Sequence, residues 1–204
     1  MKNIYITSIP LQGKERLWKK KYIPQDGINF DEDMETAFPI IPVMKKTMDP
    51  EVENKVIVVV MKSTDSKENL ELFKEELQDI DVNPKCVTCV ELEEDSRYAT
   101  GVSMFIQLAR EIEDDSDVYA CITYGTKIMS IVMTYVLSSI EYLKRNTVVK
   151  SVCYGHIDWE NGEAKEAKVW DVMGILQINE LVRTIFEARF DNPLKALENL
   201  LKID

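Results

Sequence analysis

Residues 55–61 read Lys-Val-Ile-Val-Val-Val-Met, a β-branched run with no polar position after its lysine. A strand that turns one face to water alternates apolar with polar residues. A continuous run of this length instead describes a strand buried on both faces, the condition of a parallel sheet held between two layers of helices. The rest of the chain repeats the unit this demands. Residues 4–7 and 86–92, then 118–122 and 148–154, read as further short strands. Helical spacing separates them at residues 66–80, 100–112 and 128–143, the first with Asp65 or Ser66 placed to cap it. Strands alternating with helices predict an α/β fold with a Rossmann-like, mostly parallel sheet and helices on both faces.

After residue 154 the pattern changes. Gly155-His156-Ile157-Asp158-Trp159 and Ala167-Lys168-Val169-Trp170-Asp171 flank Asn161-Gly162, a dipeptide that favours a hairpin turn. Ile178, Leu181, Val182, Ile185 and Phe186 then recur at helical spacing, and Pro193 opens a last helix through Leu194, Leu197, Leu200 and Leu201. The expected organisation is a core with its hairpin over residues 1–174. A helical extension follows over residues 175–204, packed on the core or leading to an effector domain. At 204 residues the chain is long enough for one substantial core and short for two.

No segment approaches the roughly 20 apolar residues that cross a bilayer, and the first residues lack a signal-peptide pattern, so the cytoplasm is the expected compartment. Cys121 and Cys153 sit in apolar runs and read as structural. Cys86 and Cys89 form a C-x-x-C without the second pair that a zinc site needs. The net charge of −11 argues against general nucleic-acid binding, and no direct DNA contact is expected. Against it stands a basic island of Lys14, Arg16, Lys19, Lys20 and Lys21 just after the first strand, either a solvated helix face or an anion-facing loop.

Ligands of parallel α/β sheets collect beyond the carboxyl ends of the strands, where strand order reverses. Two loops qualify, Ser8 to Lys14 and Thr123-Tyr124-Gly125-Thr126-Lys127. In the second, Gly125 permits close backbone approach, the threonines bring hydroxyls, the helix start brings free amides and Lys127 brings a cation. These suit a phosphate or nucleotide. Neither loop is a G-x-x-x-x-G-K-[ST] or G-x-G-x-x-G, so a mononucleotide kinase and a dinucleotide dehydrogenase are disfavoured, and no cofactor or metal is expected. The lone histidine, His156, reads as structural.

Ile122-Thr123-Tyr124-Gly125-Thr126-Lys127, running into Met129-Ser130-Ile131, resembles the second signature loop of CARF (CRISPR-associated Rossmann fold) proteins. Ile6-Thr7-Ser8-Ile9-Pro10, with Tyr22 downstream, is similar to that family's other ligand loop, and the resemblance covers roughly residues 1–190. Tyr124 stands where many relatives carry a small residue or histidine. The resemblance implies a homodimeric sensor of a cyclic oligoadenylate, cyclic tetra-adenylate before other ring sizes, in type III CRISPR antiviral signalling. It implies that Lys127 and the amides of Gly125 and Thr126 meet phosphates, and that Ser8, Ile9 and Pro10 line the ribose or base. Lys14 would raise the local potential.

Members of this family often carry a HEPN ribonuclease with an arginine shortly before a histidine; His156 has none at that distance, so any effector of that kind lies outside this chain. The C-terminal helices lack the basic face of a DNA-binding helix-turn-helix. One alternative is a ring nuclease in which a ribose 2′-hydroxyl attacks the neighbouring phosphate, with Lys127, Thr123 and Ser8 as candidates. A less favoured one is a metal-dependent nuclease built on Asp158 and Glu163-Ala164-Lys165. A third is a C-terminal interaction module using Leu181, Ile185, Leu197 and Leu201.

Overall fold

The computed structural model describes residues 1–25, 27–93, 97–161 and 163–201. Among these, seven strands form one sheet: β1 (Lys2–Ser8), β2 (Tyr22–Pro24), β3 (Glu53–Met61), β4 (Val87–Leu92), β5 (Ser116–Cys121), β6 (Val148–Glu160) and β7 (Glu163–Asp171). Six α-helices accompany them: α1 (Ile40–Thr47), α2 (Thr64–Gln78), α3 (Tyr98–Glu111), α4 (Lys127–Leu143), α5 (Met173–Glu187) and α6 (Pro193–Leu201). The strand order is β2-β7-β6-β5-β1-β3-β4, and only the β6–β7 pair is antiparallel. This is the expected Rossmann-like α/β architecture.

The run at residues 55–61 behaves as its composition requires. Val56, Val58 and Val60 join the core layer beneath α1 and α2, while Ile57, Val59 and Met61 join the layer beneath α3 and α4. All six are buried, because the pleat sends alternate side chains to opposite faces and both faces are covered. Next to it, β1 splits the same way, with Tyr5 in the first layer and Ile4 and Ile6 in the second.

Three local readings are corrected. The cap of α2 is Ser63, whose hydroxyl accepts from the Ser66 amide at 3.3 Å; Ser66 is already inside the helix and buried. The predicted fifth strand and the first arm of the hairpin are one 13-residue strand, β6. The short edge strand β2, unforeseen, pairs with β7. At the hairpin tip Asn161 adopts a left-handed φ of 54°, which Asn tolerates; Gly162 lies outside the described residues. A bulge between Asp158 and Trp159 shifts the β6–β7 register, so that His156 faces Lys168 and Tyr154 faces Trp170.

Towards the C-terminus α5 buries Leu176 and Ile185, whereas α6 buries nothing. Among the described residues no helix is long and apolar enough to cross a membrane.

Candidate functional site

Strand β1 lies between β3 on one side and the later β5 on the other, so strand order reverses between β1 and β5. The two predicted loops leave the carboxyl ends of these strands and are tied together there. The hydroxyl of Ser8 donates to the carbonyl of Tyr124. On α2, buried Asn69 donates from Nδ2 to the carbonyls of Pro10 at 3.0 Å and Gln12 at 2.8 Å, pinning the first loop to its neighbour helix. Thr123 Oγ1 accepts from the Gly155 amide at 2.7 Å and so fastens the second loop to β6. Each such bond is worth about 1 kcal/mol net, and together they set one relative placement of three chain segments.

Tyr124 reaches inward. Its hydroxyl donates to the Ala37 carbonyl at 2.6 Å and its ring meets Phe38 edge-on, with centroids 6.1 Å apart. Burial, with Tyr22 beside it, pushes its phenol well above the ordinary tyrosine range, so it stays a neutral donor. Gly125 takes φ of +93°, and a Cβ there would sit 3.0 Å from Met129 Cε and 3.2 Å from Ser8 Oγ, which leaves glycine as the residue that fits. Thr126 then caps α4, its hydroxyl accepting from the Met129 amide at 3.2 Å. The remaining first-turn amides have no carbonyl ahead of them, and Lys127 stands exposed at the same helix end.

Beside these loops lies an open cleft of about 610 Å³. Gln12, Arg16, Leu17 and Trp18 form one wall; Thr123 and Tyr124 another; Tyr154, Gly155, His156, Ile157 and Trp159 of β6 the third. Two of the chain's three tryptophans line it. The Trp18 and Trp159 rings, 43% and 50% exposed, approach to 4.4 Å between centroids, and Trp170 stacks on His156 at 5.6 Å with the planes 16° apart. Large aromatic surface left open to water in one concave place is a feature of ligand sites.

His156 also has a polar partner. Its Nε2 lies 3.1 Å from Asp158 Oδ1, and Asp158 Oδ2 accepts from Lys168 Nζ at 2.8 Å. The Lys168 hydrogen bond, seconded by its charge, holds the Asp158 carboxyl below the usual carboxylate range, and Lys168, which Glu166 also contacts at 2.6 Å, is raised in turn.

The sequence-predicted site residues divide into four groups. Thr123 and Tyr124 line the cleft. Gly125, Thr126 and Lys127 build the turn into α4 and are not part of its wall. Ser8, Ile9 and Pro10 are buried and serve to place the loops: Ser8 is spent on Tyr124, and Ile9 has joined the core. Lys14 lies exposed on a single 3₁₀ turn, Lys14–Arg16, rather than on a helix face. Within the basic island Lys19 is drawn off to Glu76, a carboxylate 1% exposed that also accepts from the Thr36 hydroxyl and the Ala37 amide. Arg16 is the island's residue in the cleft. Sequence reasoning missed Gln12, Trp18, Tyr154, His156 and Trp159; the signal available was two tryptophans and the lone histidine in one hairpin.

Asp158, offered for a metal site, is engaged by Lys168 and His156. Among the described residues no three His, Cys, Asp or Glu side chains gather as a ligand set, and the Glu163 side chain lies outside those described. Cys86 and Cys89 separate onto a 3₁₀ turn and β4, and desolvation pushes both thiols up, away from a reactive thiolate.

Fold and cleft define a Rossmann-like α/β protein with an open cleft beside its topological switch point. No protein-family pattern matches the chain, and no curated protein matches it in sequence. Among solved structures it is similar to Enterococcus italicus Csm6 bound to cyclic hexa-2′-fluoro-hexa-dAMP, with 8% sequence identity and a TM-score of 0.47. The match covers 96% of this chain and 48% of that one, so the chain spans about half the length of that relative.

Proposed function

We propose that the protein is a homodimeric sensor that binds a cyclic oligoadenylate, with cyclic tetra-adenylate first among ring sizes, in type III CRISPR antiviral signalling. The observation that carries this reading is the joining of the two CARF-like loops, through Ser8 and Tyr124, beside a cleft that offers aromatic faces and Arg16. Bases stack on such faces for about 1–3 kcal/mol each. Phosphates need cations and amides, which Arg16, Lys127 and the start of α4 supply.

A second copy fits the other large concavity. Between α3 and α4 runs an apolar groove of about 610 Å³ lined by Tyr98, Val102, Phe105, Ile128, Val132 and Tyr135, with Ile131 exposed nearby. The α4 helix starts at the phosphate-binding turn, so a two-fold axis along this groove would bring two sets of loops toward one ring, whose symmetry matches that of a dimer. Helix α5 packs on the core through Leu176 and Ile185, and the C-terminal helices are where an effector would couple.

The test is a titration with cyclic tri-, tetra- and hexa-adenylate, read by calorimetry and thermal melting. Ligand at a hundred times its Kd adds about 2.7 kcal/mol to stability. For a chain of this size that raises Tm by roughly 5–10 °C. Linear AMP should do far less. Absence of any shift with every ring at about 100 micromolar would end this reading.

A further inference from the structure

We propose that Glu76, which lies outside the cleft, is a positioning residue that holds two of its walls in place from behind; what the walls are placed for rests on the ligand reading above. The buried face of α2 runs through Asn69, Leu72, Phe73, Glu76 and Leu77, the helical spacing at which a surface helix turns apolar side chains to the core. Glu76 breaks that pattern. Among the described residues it is the one buried side chain that bears a charge, and it is 1% exposed. A carboxylate taken out of water loses its hydration, whereas an apolar side chain of similar size would pack there without that loss. Packing alone therefore gives no reason for a charge at this place.

Its partners all come from the connection between β1 and α1. Oε1 lies 3.3 Å from Lys19 Nζ, and Oε2 accepts from the Thr36 hydroxyl and from the Ala37 amide at 3.2 Å. Lys19 follows Trp18 in the chain, so the first contact fixes the end of the wall that carries Arg16 and Trp18, and Trp18 meets Trp159 of β6. The other two fix Ala37 and its neighbour. The Ala37 carbonyl accepts from the Tyr124 hydroxyl at 2.6 Å, so the wall of Thr123 and Tyr124 is set by the same carboxylate. Lys20 and Thr36 exchange backbone hydrogen bonds at 3.0 and 3.1 Å, which tie the two points to each other. An apolar residue at position 76 would fill the space without giving the walls a common reference, because burial has no direction and hydrogen bonds have one.

The experiment takes the full chain, first without ligand. Two indoles as close as Trp18 and Trp159 couple their transitions and give an exciton couplet in circular dichroism, which Trp159→Phe identifies by its loss. Glu76→Gln keeps the shape and removes the charge, and Lys19→Met removes the cation from the half-exposed end of the pair. Both should lose most of the couplet while still melting cooperatively, and Lys19→Arg should keep it. Affinity for cyclic tetra-adenylate, titrated well below the melting range, should fall about tenfold in Glu76→Gln and Lys19→Met, the scale of one charge-assisted hydrogen bond, and stay near the parent's in Lys19→Arg. A merely structural role would lower the melting temperature and leave the couplet and the affinity of the folded protein where they were. A parental couplet or a parental affinity in Lys19→Met, or in folded Glu76→Gln, therefore overturns the proposal. Should Glu76→Gln fail to fold, Lys19→Met against Lys19→Arg decides. If the parent binds no ring, the ligand reading falls, and the couplet alone decides whether Glu76 places the walls.

Discussion

Gly155→Ala is a sharp test of how β6 is set against the rest of the site. A Cβ at this position would lie 2.2 Å from Pro39 Cγ and 2.7 Å from Pro39 Cβ, well inside contact distance. Pro39 is buried at the start of α1, and its ring has no alternative rotamer that clears the space, so strand or helix must move. Overpacking of this kind costs about 1–3 kcal/mol. Movement of β6 also strains the 2.7 Å bond from the Gly155 amide to Thr123, worth about 1 kcal/mol more. The expected loss of about 2–4 kcal/mol lowers Tm by roughly 4–16 °C at the 2–4 °C per kcal/mol of a chain this long. Gly174→Ala is the control. It lies in α5 with nothing within 4 Å of its Cβ position, so alanine there should be neutral or stabilise by about 0.5–1 kcal/mol. Differential scanning calorimetry and urea unfolding of both variants decide the matter. A Gly155→Ala protein as stable as the parent to within about 0.5 kcal/mol would refute the contact argument.

Two further outcomes follow from the proposed ligand and dimer. Lys127→Ala should weaken ring binding by roughly ten- to a hundredfold, as one charge-assisted hydrogen bond is lost, and leave the ligand-free Tm near the parent's; unchanged affinity would remove the turn at Thr123 to Lys127 from the site. Ile131→Asp, which sets a charge on the exposed face of α4, should convert the dimer to monomer in sedimentation at micromolar protein, and a parent that sediments only as monomer with and without ring would overturn the two-fold reading.

What could be read along the chain is what local pattern controls. The unbroken run at 55–61 announces a doubly covered strand because burial on both faces leaves no polar position, and the loops after β1 and β5 are candidate site segments because parallel topology puts ligands there. By contrast β2 is three residues long and is a strand only by virtue of its pairing with β7. The cleft was equally out of reach, since its walls come from residues 12–18 and 154–159 and meet only in the folded sheet. His156 shows most clearly why. A two-residue Asn-Gly turn with regular pairing would place His156 opposite Ala167, and Lys168 would then project from the other face of the hairpin. The bulge between Asp158 and Trp159 inserts one residue, and the register becomes His156 opposite Lys168 and Tyr154 opposite Trp170. Because side chains alternate with a period of two, that single slip moves Lys168 and Trp170 onto the face that carries His156 and Asp158. The stack on Trp170 and the anchor from Lys168 both depend on it, so an irregularity that pattern reading treats as noise is what turns an isolated histidine into an oriented one.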